Sequence, residues 1–223
     1  MTFDELVALY QSPASVPPHP ALSGLDLVQW TTVHDAYGPA TSVPSLIRAL
    51  TATESIHRGY AIEALFQRIW HQGTVYSATA AAVPILFDLL ESEATPDRPA
   101  VAILLAEIAD GAPPFKSCET NPHEAEKWRE ILRKSNRSLD AEMDEGRRIG
   151  AAIRKGIYER LDALYPYLRD SNPEVRRSVA IAIGNFPDVV DRVLQDLKAA
   201  LEEEPEGYVR EAIREIIQRA SKP

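Results

Sequence analysis

The chain has 223 residues, of which 45% are hydrophobic, so it is long enough to bury a sizeable core. It carries 24 Lys and Arg against 33 Asp and Glu, a formal net charge of -9. A surface that tracks nucleic-acid phosphates needs clustered cations, so this balance argues against that function. The single cysteine, Cys118, excludes an internal disulfide framework and a cysteine-based zinc site, and it fits a reducing compartment.

The negative charge is concentrated in the first half of the chain. Residues 1–111 hold four Arg, no Lys and 12 carboxylates, whereas residues 112–223 hold 20 cations and 21 carboxylates. The first residues lack the basic and apolar regions of a signal peptide, and no apolar run of about 18 residues occurs. We therefore expect a cytoplasmic protein with an acidic N-terminal half.

Residues 1–41 are predicted to form an N-terminal helical cap. Within them, residues 12–24 contain four prolines, which favours a loop. Most aromatic residues of the first 80 are expected in the core, but any that are exposed beside the acidic surface would be natural anchors for a protein partner. These aromatic residues are Trp30, Tyr37, Tyr60, Trp70 and Tyr76.

A short motif recurs at intervals of about 40 residues. Residues 43–50 return as residues 83–90, and a degenerate copy occupies residues 164–169. Apolar residues with helical spacing follow each copy, and Asn172 with Pro173 is typical of a helix start. No segment alternates with a period of two over the length of a strand. The pattern predicts an all-α chain of helix–turn–helix units at residues 42–110 and 158–223.

Two helices in about 40 residues resemble the HEAT-repeat superfamily, which belongs to the HEAT/armadillo-like α-solenoids. The segment Trp70-His71-Gln72-Gly73-Thr74-Val75-Tyr76 is similar to one that joins the first two repeats in a group of bacterial HEAT-repeat proteins. The resemblance implies a right-handed α-α superhelix and no particular activity. It also implies that Arg176 and Arg177 form ladders with acidic neighbours such as Asp170 and Glu174.

Residues 111–157 depart from the repeat and are predicted to form a helical insertion. His123-Glu124 lacks the second histidine of a zinc helix, and a resemblance to HEAT-like deoxyhypusine hydroxylases fails because those proteins use several His-Glu pairs. The cationic residues Arg147, Arg148, Arg154 and Lys155 are interrupted by carboxylates, which favours a salt-bridged helix face over a nucleic-acid site.

The segment around Gly73 has two interpretations. His71, Gln72 and Tyr76 could bind a ligand at the mouth of the first groove between repeats. Alternatively, Gly73 ends a helix and Thr74 caps the next one, while the aromatic residues pack. The structural interpretation is favoured, but the segment and the acidic positions near it remain the candidate partner-binding site: Trp70, His71, Gln72, Tyr76, Glu63, Asp88, Glu91 and Glu93.

The sequence carries no recognisable catalytic, metal-binding or cofactor-binding motif. We therefore expect a non-catalytic protein–protein interaction module whose acidic N-terminal repeats bind a basic protein partner, with neither nucleic acid nor membrane as a target. A narrower form is a bacterial immunity or antitoxin-type inhibitor. Two alternatives remain: a HEAT-like enzyme similar to DNA glycosylases or bilin lyases, with Trp70 or Trp128 in a groove, and a structural subunit of an assembly.

Overall fold

The structure is a computed structural model that describes residues 1–220. Within that range no helix is long and apolar enough to cross a membrane. The α-helices are α1 (Phe3–Leu9), α2 (Val43–Ala49), α3 (Ser55–Ile69), α4 (Ser77–Glu91), α5 (Arg98–Asp110), α6 (Pro122–Lys134), α7 (Leu139–Tyr158), α8 (Pro173–Gly184), α9 (Pro187–Glu203) and α10 (Gly207–Ala220). The strands are β1 (His34–Asp35), β2 (Gly38–Pro39), β3 (Trp70–His71) and β4 (Thr74–Val75), and 3-10 helices occupy Pro13–Ser15, Pro20–Leu22, Leu25–Leu27, Lys116–Glu119 and Leu161–Arg169.

The helices form four antiparallel pairs that stack side by side. The pairs are α2 with α3, α4 with α5, the 3-10 helix Leu161–Arg169 with α8, and α9 with α10. The second members α3, α5, α8 and α10 contact one another in that order. The predicted all-α fold, a solenoid of helical hairpins, is confirmed. Its third pair begins with a 3-10 rather than an α-helix, and Pro166, which has no N–H to donate, lies inside it.

The N-terminal 41 residues wrap the first helical pair. Helix α1 begins with a capping box, in which the Thr2 hydroxyl accepts from the Glu5 N–H and the Glu5 carboxylate accepts from the Thr2 N–H. Helix α1 packs on α2 and α3 through the buried Leu6. Two 3-10 turns, each opened by a proline, order the proline-rich segment. Trp30 is buried and its indole N–H donates to the Leu25 carbonyl.

Residues 111–157 hold α6 and most of α7. Helix α7 contacts α4 and α5, and α6 contacts α7 and the 3-10 helix before it. Pro113 and Pro114 lie against α7 at Gly146 and Gly150, where an added Cβ would come within 3.1 Å and 3.4 Å of them. Helix α6 buries its apolar side in a small separate cluster, away from the main core: Cys118, Ala125, Leu132 and Leu139, with Phe115, Trp128 and Met143 beside them.

One arginine device closes three of the four turns between paired helices. Arg58, Arg176 and Arg210 are each the fourth residue of the second helix, and each guanidinium donates to the two carbonyls five and six residues earlier, at 2.7 to 3.1 Å. The matching position in α5 is the buried Val101. These bonds satisfy carbonyls that the turn leaves without helical partners.

Arg176 does not form the predicted ladder with the Asp170 and Glu174 carboxylates. It instead donates to the Asp170 carbonyl and makes a bidentate pair with Glu204, with both N–O distances 2.7 Å. The Glu174 carboxylate accepts from the Tyr208 hydroxyl. The prediction was wrong because the partner of Arg176 lies in the next helical pair, 28 residues away, where a local charge pattern cannot reveal it.

Candidate functional site

The segment between α3 and α4 is a β-hairpin. Trp70 pairs with Val75 and His71 with Thr74, and the two turn residues Gln72 and Gly73 have φ values of 51° and 82°. Two consecutive left-handed residues are the signature of a type I′ turn, whose twist suits a short hairpin. The hairpin holds the end of α3 beside the start of α4.

The predicted roles of Gly73 and Thr74 were therefore wrong. Helix α3 ends at Ile69, and Gly73 is a hairpin turn residue rather than the residue that ends the helix. The N-cap of α4 is Tyr76, and its backbone N–H donates to the Thr79 hydroxyl at 2.8 Å. A glycine with positive φ serves both a helix end and a type I′ turn, so the local sequence could not separate them.

The hairpin also joins the end of α5. The Val75 N–H donates to the Ala112 carbonyl at 3.0 Å, and the Ala112 N–H donates to the Gly73 carbonyl at 2.8 Å. At Gly111 an added Cβ would lie 2.5 Å from the Val75 side chain, so the two segments pack without room for one. Trp70 contacts Phe66 edge to face. Val75 and Trp70 therefore pack within the fold, whereas Gln72 is exposed at the hairpin turn.

His71 and Tyr76 lie on the side of this hairpin that faces Tyr37. The His71 ring is 5.6 Å from the Tyr37 ring, and its Nδ1 is 3.1 Å from the Gln67 carbonyl. Because a carbonyl only accepts, Nδ1 carries the proton and Nε2 is left as an acceptor. Burial raises the pKa of Tyr76, and the nearby Asp35 carboxylate raises it further.

Tyr37 belongs to the turn of the first hairpin, which a buried ion pair supports. The fully buried Asp35 carboxylate accepts from the Tyr37 N–H at 2.8 Å and from Arg68 Nη1 at 2.7 Å. The Ala36 N–H donates to the Arg68 carbonyl at 2.9 Å. The Arg68 guanidinium therefore lies between two aromatic rings, 4.4 Å from the Phe3 centroid and 5.2 Å from the Tyr37 centroid.

A surface pocket of about 390 Å³ opens between α1, α3 and this turn. We call it the aromatic pocket; its principal walls are Phe3, Leu6, Tyr37, Tyr60, Glu63 and Arg68. Exposed fractions of 37% for Phe3, 63% for Tyr37 and 42% for Tyr60 are large for aromatic side chains. Among the five aromatics predicted as core or anchors, Tyr37 and Tyr60 are the exposed pair beside an acidic residue.

The acidic candidates Asp88 and Glu91 lie elsewhere, near the C-terminal end of α4. Arg160 binds both, with Nη1 2.7 Å from Asp88 Oδ1 and Nη2 2.8 Å from Glu91 Oε2. Its Nη1 also donates to the Pro84 carbonyl at 3.1 Å. With a rise of about 1.5 Å per residue, Asp88 is roughly 18 Å along α4 from Tyr76. The eight candidate residues therefore form two groups.

The first group contains Glu63, Trp70, His71, Gln72 and Tyr76, which lie around the two hairpins and the aromatic pocket. The second contains Asp88 and Glu91, which Arg160 neutralises, and the exposed Glu93 in the following loop. Phe3, Asp35 and Arg68 were not among the candidates. Only the fold brings them together, since 32 residues separate Phe3 from Asp35 and 33 separate Asp35 from Arg68.

Three of the four cations of the N-terminal half are engaged within the chain. Arg48 is buried, bound to Asp26 and to the carbonyls of residues 10 and 11. Arg58 donates to the α2–α3 turn, and Arg68 pairs with Asp35. Exposed carboxylates therefore dominate the charge around the aromatic pocket: Asp4, Glu5, Glu54 and Glu63.

Comparison with known proteins adds a family for the C-terminal part of the chain. Residues 126–218 match the family model described as HEAT repeats. The chain contains HEAT repeats. No curated protein and no solved structure gave a significant match. The match begins in α6, so it includes α7 and the last two helical pairs.

The basic residues on α7, within the HEAT-repeat match, are paired as predicted. Arg147 binds Glu119 and Asp144, Arg148 is 2.6 Å from Glu145, and Lys155 is 3.8 Å from Glu159. Arg154 donates to the Asn185 carbonyl and lies over the Phe186 ring at 4.4 Å. The prediction of a salt-bridged helix face is confirmed.

Other chemistry-bearing residues of the sequence have local structural partners. His123 is exposed in the first turn of α6, and the Glu124 carboxylate accepts from the Ser117 hydroxyl. The Cys118 thiol is buried, and burial raises its pKa, which disfavours the thiolate. Trp128 contacts Phe115 edge to face at 5.2 Å. Within residues 1–220, no three His, Cys, Asp or Glu side chains are grouped as metal ligands.

Proposed function

We propose that this protein is a non-catalytic recognition module whose N-terminal part binds a basic protein partner. HEAT repeats commonly serve protein–protein interaction, because stacked helical pairs expose extended surfaces. The carrying observation is that the N-terminal arginines are used internally, by Asp26, by Asp35 and by turn carbonyls. The surface carboxylates there are left to attract a positively charged partner.

In its narrower form, the proposal is that this protein inhibits its partner by covering it, as an immunity or antitoxin-type protein does. Exposed aromatic residues next to carboxylates support tight binding, since large rigid side chains supply contact area and the charges steer association. Asp88 and Glu91 contribute less to the attraction than their sequence suggests, because Arg160 balances them.

The test compares two variants of equal net charge. Asp4→Asn/Glu63→Gln/Glu93→Gln removes three exposed carboxylates from the N-terminal part. The matched control removes three exposed carboxylates from the last helical pair, and it is Asp191→Asn/Glu202→Gln/Glu211→Gln. Each variant is immobilised, challenged with lysate of the native host at low and at high salt, and its bound proteins are identified by mass spectrometry.

We expect wild type and control to retain the same basic protein at low salt. The N-terminal variant should retain much less of it, and association measured by surface plasmon resonance should slow several-fold. Equal loss in both variants would show that only the overall charge matters. If wild type retained no protein whose binding weakens with salt, the proposed function would be wrong.

A further inference from the structure

The N-terminal end of the helical stack exposes an apolar face. Ile56 and Tyr60 lie one turn apart on α3 and are 62% and 42% exposed, and they continue towards the aromatic pocket. Phe3 and Leu9 on α1 are also exposed. The end repeats of a solenoid normally present a polar outer face to solvent, so an apolar face at this end indicates a contact surface.

The interior of the pocket suits an apolar group rather than a cation. Arg68 already occupies the cation–π positions over Phe3 and Tyr37, and Asp35 neutralises it. A second cation between these rings would meet the first one at close range. An aliphatic or aromatic side chain instead gains contact with the rings and with Leu6 without displacing the ion pair.

The rim of the pocket suits cations. Glu63 lies at the edge of the pocket, and Asp4 and Glu54 are exposed at the starts of α1 and α3. The nearest arginine, Arg58, is bound to the turn carbonyls of residues 52 and 53. A ligand with an apolar ridge flanked by Lys or Arg therefore matches both the interior and the rim.

The same charges disfavour the other occupants of such a face. In an isologous dimer, a second copy would bring its own Asp4, Glu54 and Glu63 against this set, and like charges at close range oppose association. An anionic membrane surface would be repelled in the same way. The charge pattern favours a partner of opposite sign.

We propose that the aromatic pocket binds a basic amphipathic helix of the partner, with one large apolar side chain in the pocket and Lys or Arg facing Glu63 and Asp4. The exposed side of α3 from Ile56 to Gln67 extends over roughly 16 Å, which matches about three turns of a docked helix. This inference rests on the proposed function and names the site and the ligand class that would serve it.

The test uses synthetic peptides and pocket variants. The probe is a fluorescein-labelled 14-residue helix of Leu and Lys with all Leu on one side, and binding is measured by fluorescence anisotropy against salt. Two control peptides have the same composition in a non-amphipathic order, or Glu in place of Lys. Ala64→Phe fills the pocket without changing charge, because Ala64 lines it. Ile131→Ser on α6 removes an equally exposed apolar residue elsewhere.

We expect the amphipathic Lys peptide to bind wild type and Ile131→Ser alike, and Ala64→Phe at least about tenfold more weakly. Glu63→Gln should weaken binding a few-fold and flatten its salt dependence. Circular dichroism checks that each variant is folded. Tyr60→Ser provides a second pocket variant that opens no internal cavity, since Tyr60 is exposed.

Several results would overturn the inference. Equal binding of the non-amphipathic peptide, or wild-type affinity in both Ala64→Phe and Tyr60→Ser, would show that the pocket is not the site. A dimer in wild type that dissociates in Ala64→Phe would assign the face to a second copy, and binding to anionic vesicles would assign it to lipid. If Ala64→Phe retains the natural partner while the triple carboxylate variant loses it, the proposed function stands and this inference fails.

Discussion

Replacing Arg176 with methionine should remove more stability than breaking any exposed ion pair nearby. The Arg176 guanidinium makes two 2.7 Å bonds to Glu204 and also holds two carbonyls of the preceding turn. The Glu204 side chain is only 2% exposed, so water cannot replace the lost partner. Removing one member of a buried pair costs about 3–5 kcal/mol because the other charge stays buried.

The matched control is Arg169→Met in the adjacent turn. Arg169 and Glu203 are 3.8 Å apart and more than half exposed, and such a pair contributes at most about 1 kcal/mol. Urea unfolding followed by far-ultraviolet circular dichroism gives the comparison. With a denaturant slope of about 2–3 kcal/mol per molar, the midpoint of Arg176→Met should fall by roughly 1–2 M.

The double variant Arg176→Met/Glu204→Leu tests the physical reason. It removes the stranded carboxylate as well, so it should recover much of the stability that the single variant loses. If the Arg176→Met midpoint matches that of Arg169→Met, the buried pair does not hold the last two helical pairs together. If the double variant is no more stable than the single one, the stranded charge is not the cause of the loss.

Three further predictions concern the acid limb, the second hairpin and α6. Hydrogen bonds from Arg176 lower the pKa of Glu204, so its stabilisation is present above the ordinary carboxyl pKa of about 4.3 and is lost as pH falls through the folded value; the stability gap between wild type and Glu204→Gln in urea titrations should shrink in acid, and a constant gap would contradict this. Gly73→Ala should lower the unfolding free energy by about 1–2 kcal/mol through its φ of 82° alone, since an added Cβ meets nothing within 4 Å, whereas the helical control Gly59→Ala should raise the melting temperature in calorimetry; a rise in both would refute the turn assignment. Leu132→Ala should speed amide hydrogen exchange in residues 116–135 and leave α8 protected, because Leu132 belongs to the separate cluster; uniform loss of protection would show a single cooperative unit.

Much of the helical architecture was predictable because its causes are local. Helical spacing of apolar residues indicated the stripe of α8, and Asn172 accepts from the Glu174 N–H at its start, with Pro173 in the first turn. The same reasoning was wrong for Gly73, where one backbone conformation serves two kinds of turn. It also missed the two hairpins, since strands of two residues are too short to leave an alternating pattern.

The candidate site was predictable only as a list of side chains. The sequence by itself determined the all-α repeat, the turns marked by proline and asparagine, and the excess of carboxylates in the first half, because these depend on near neighbours or on composition. Only the tertiary structure decided that Arg160 binds Asp88 and Glu91 while Glu63 stays free beside Tyr37 and Tyr60. The physical reason is that pairing and burial depend on contacts between residues about 30 to 70 positions apart, which the order of the chain does not reveal.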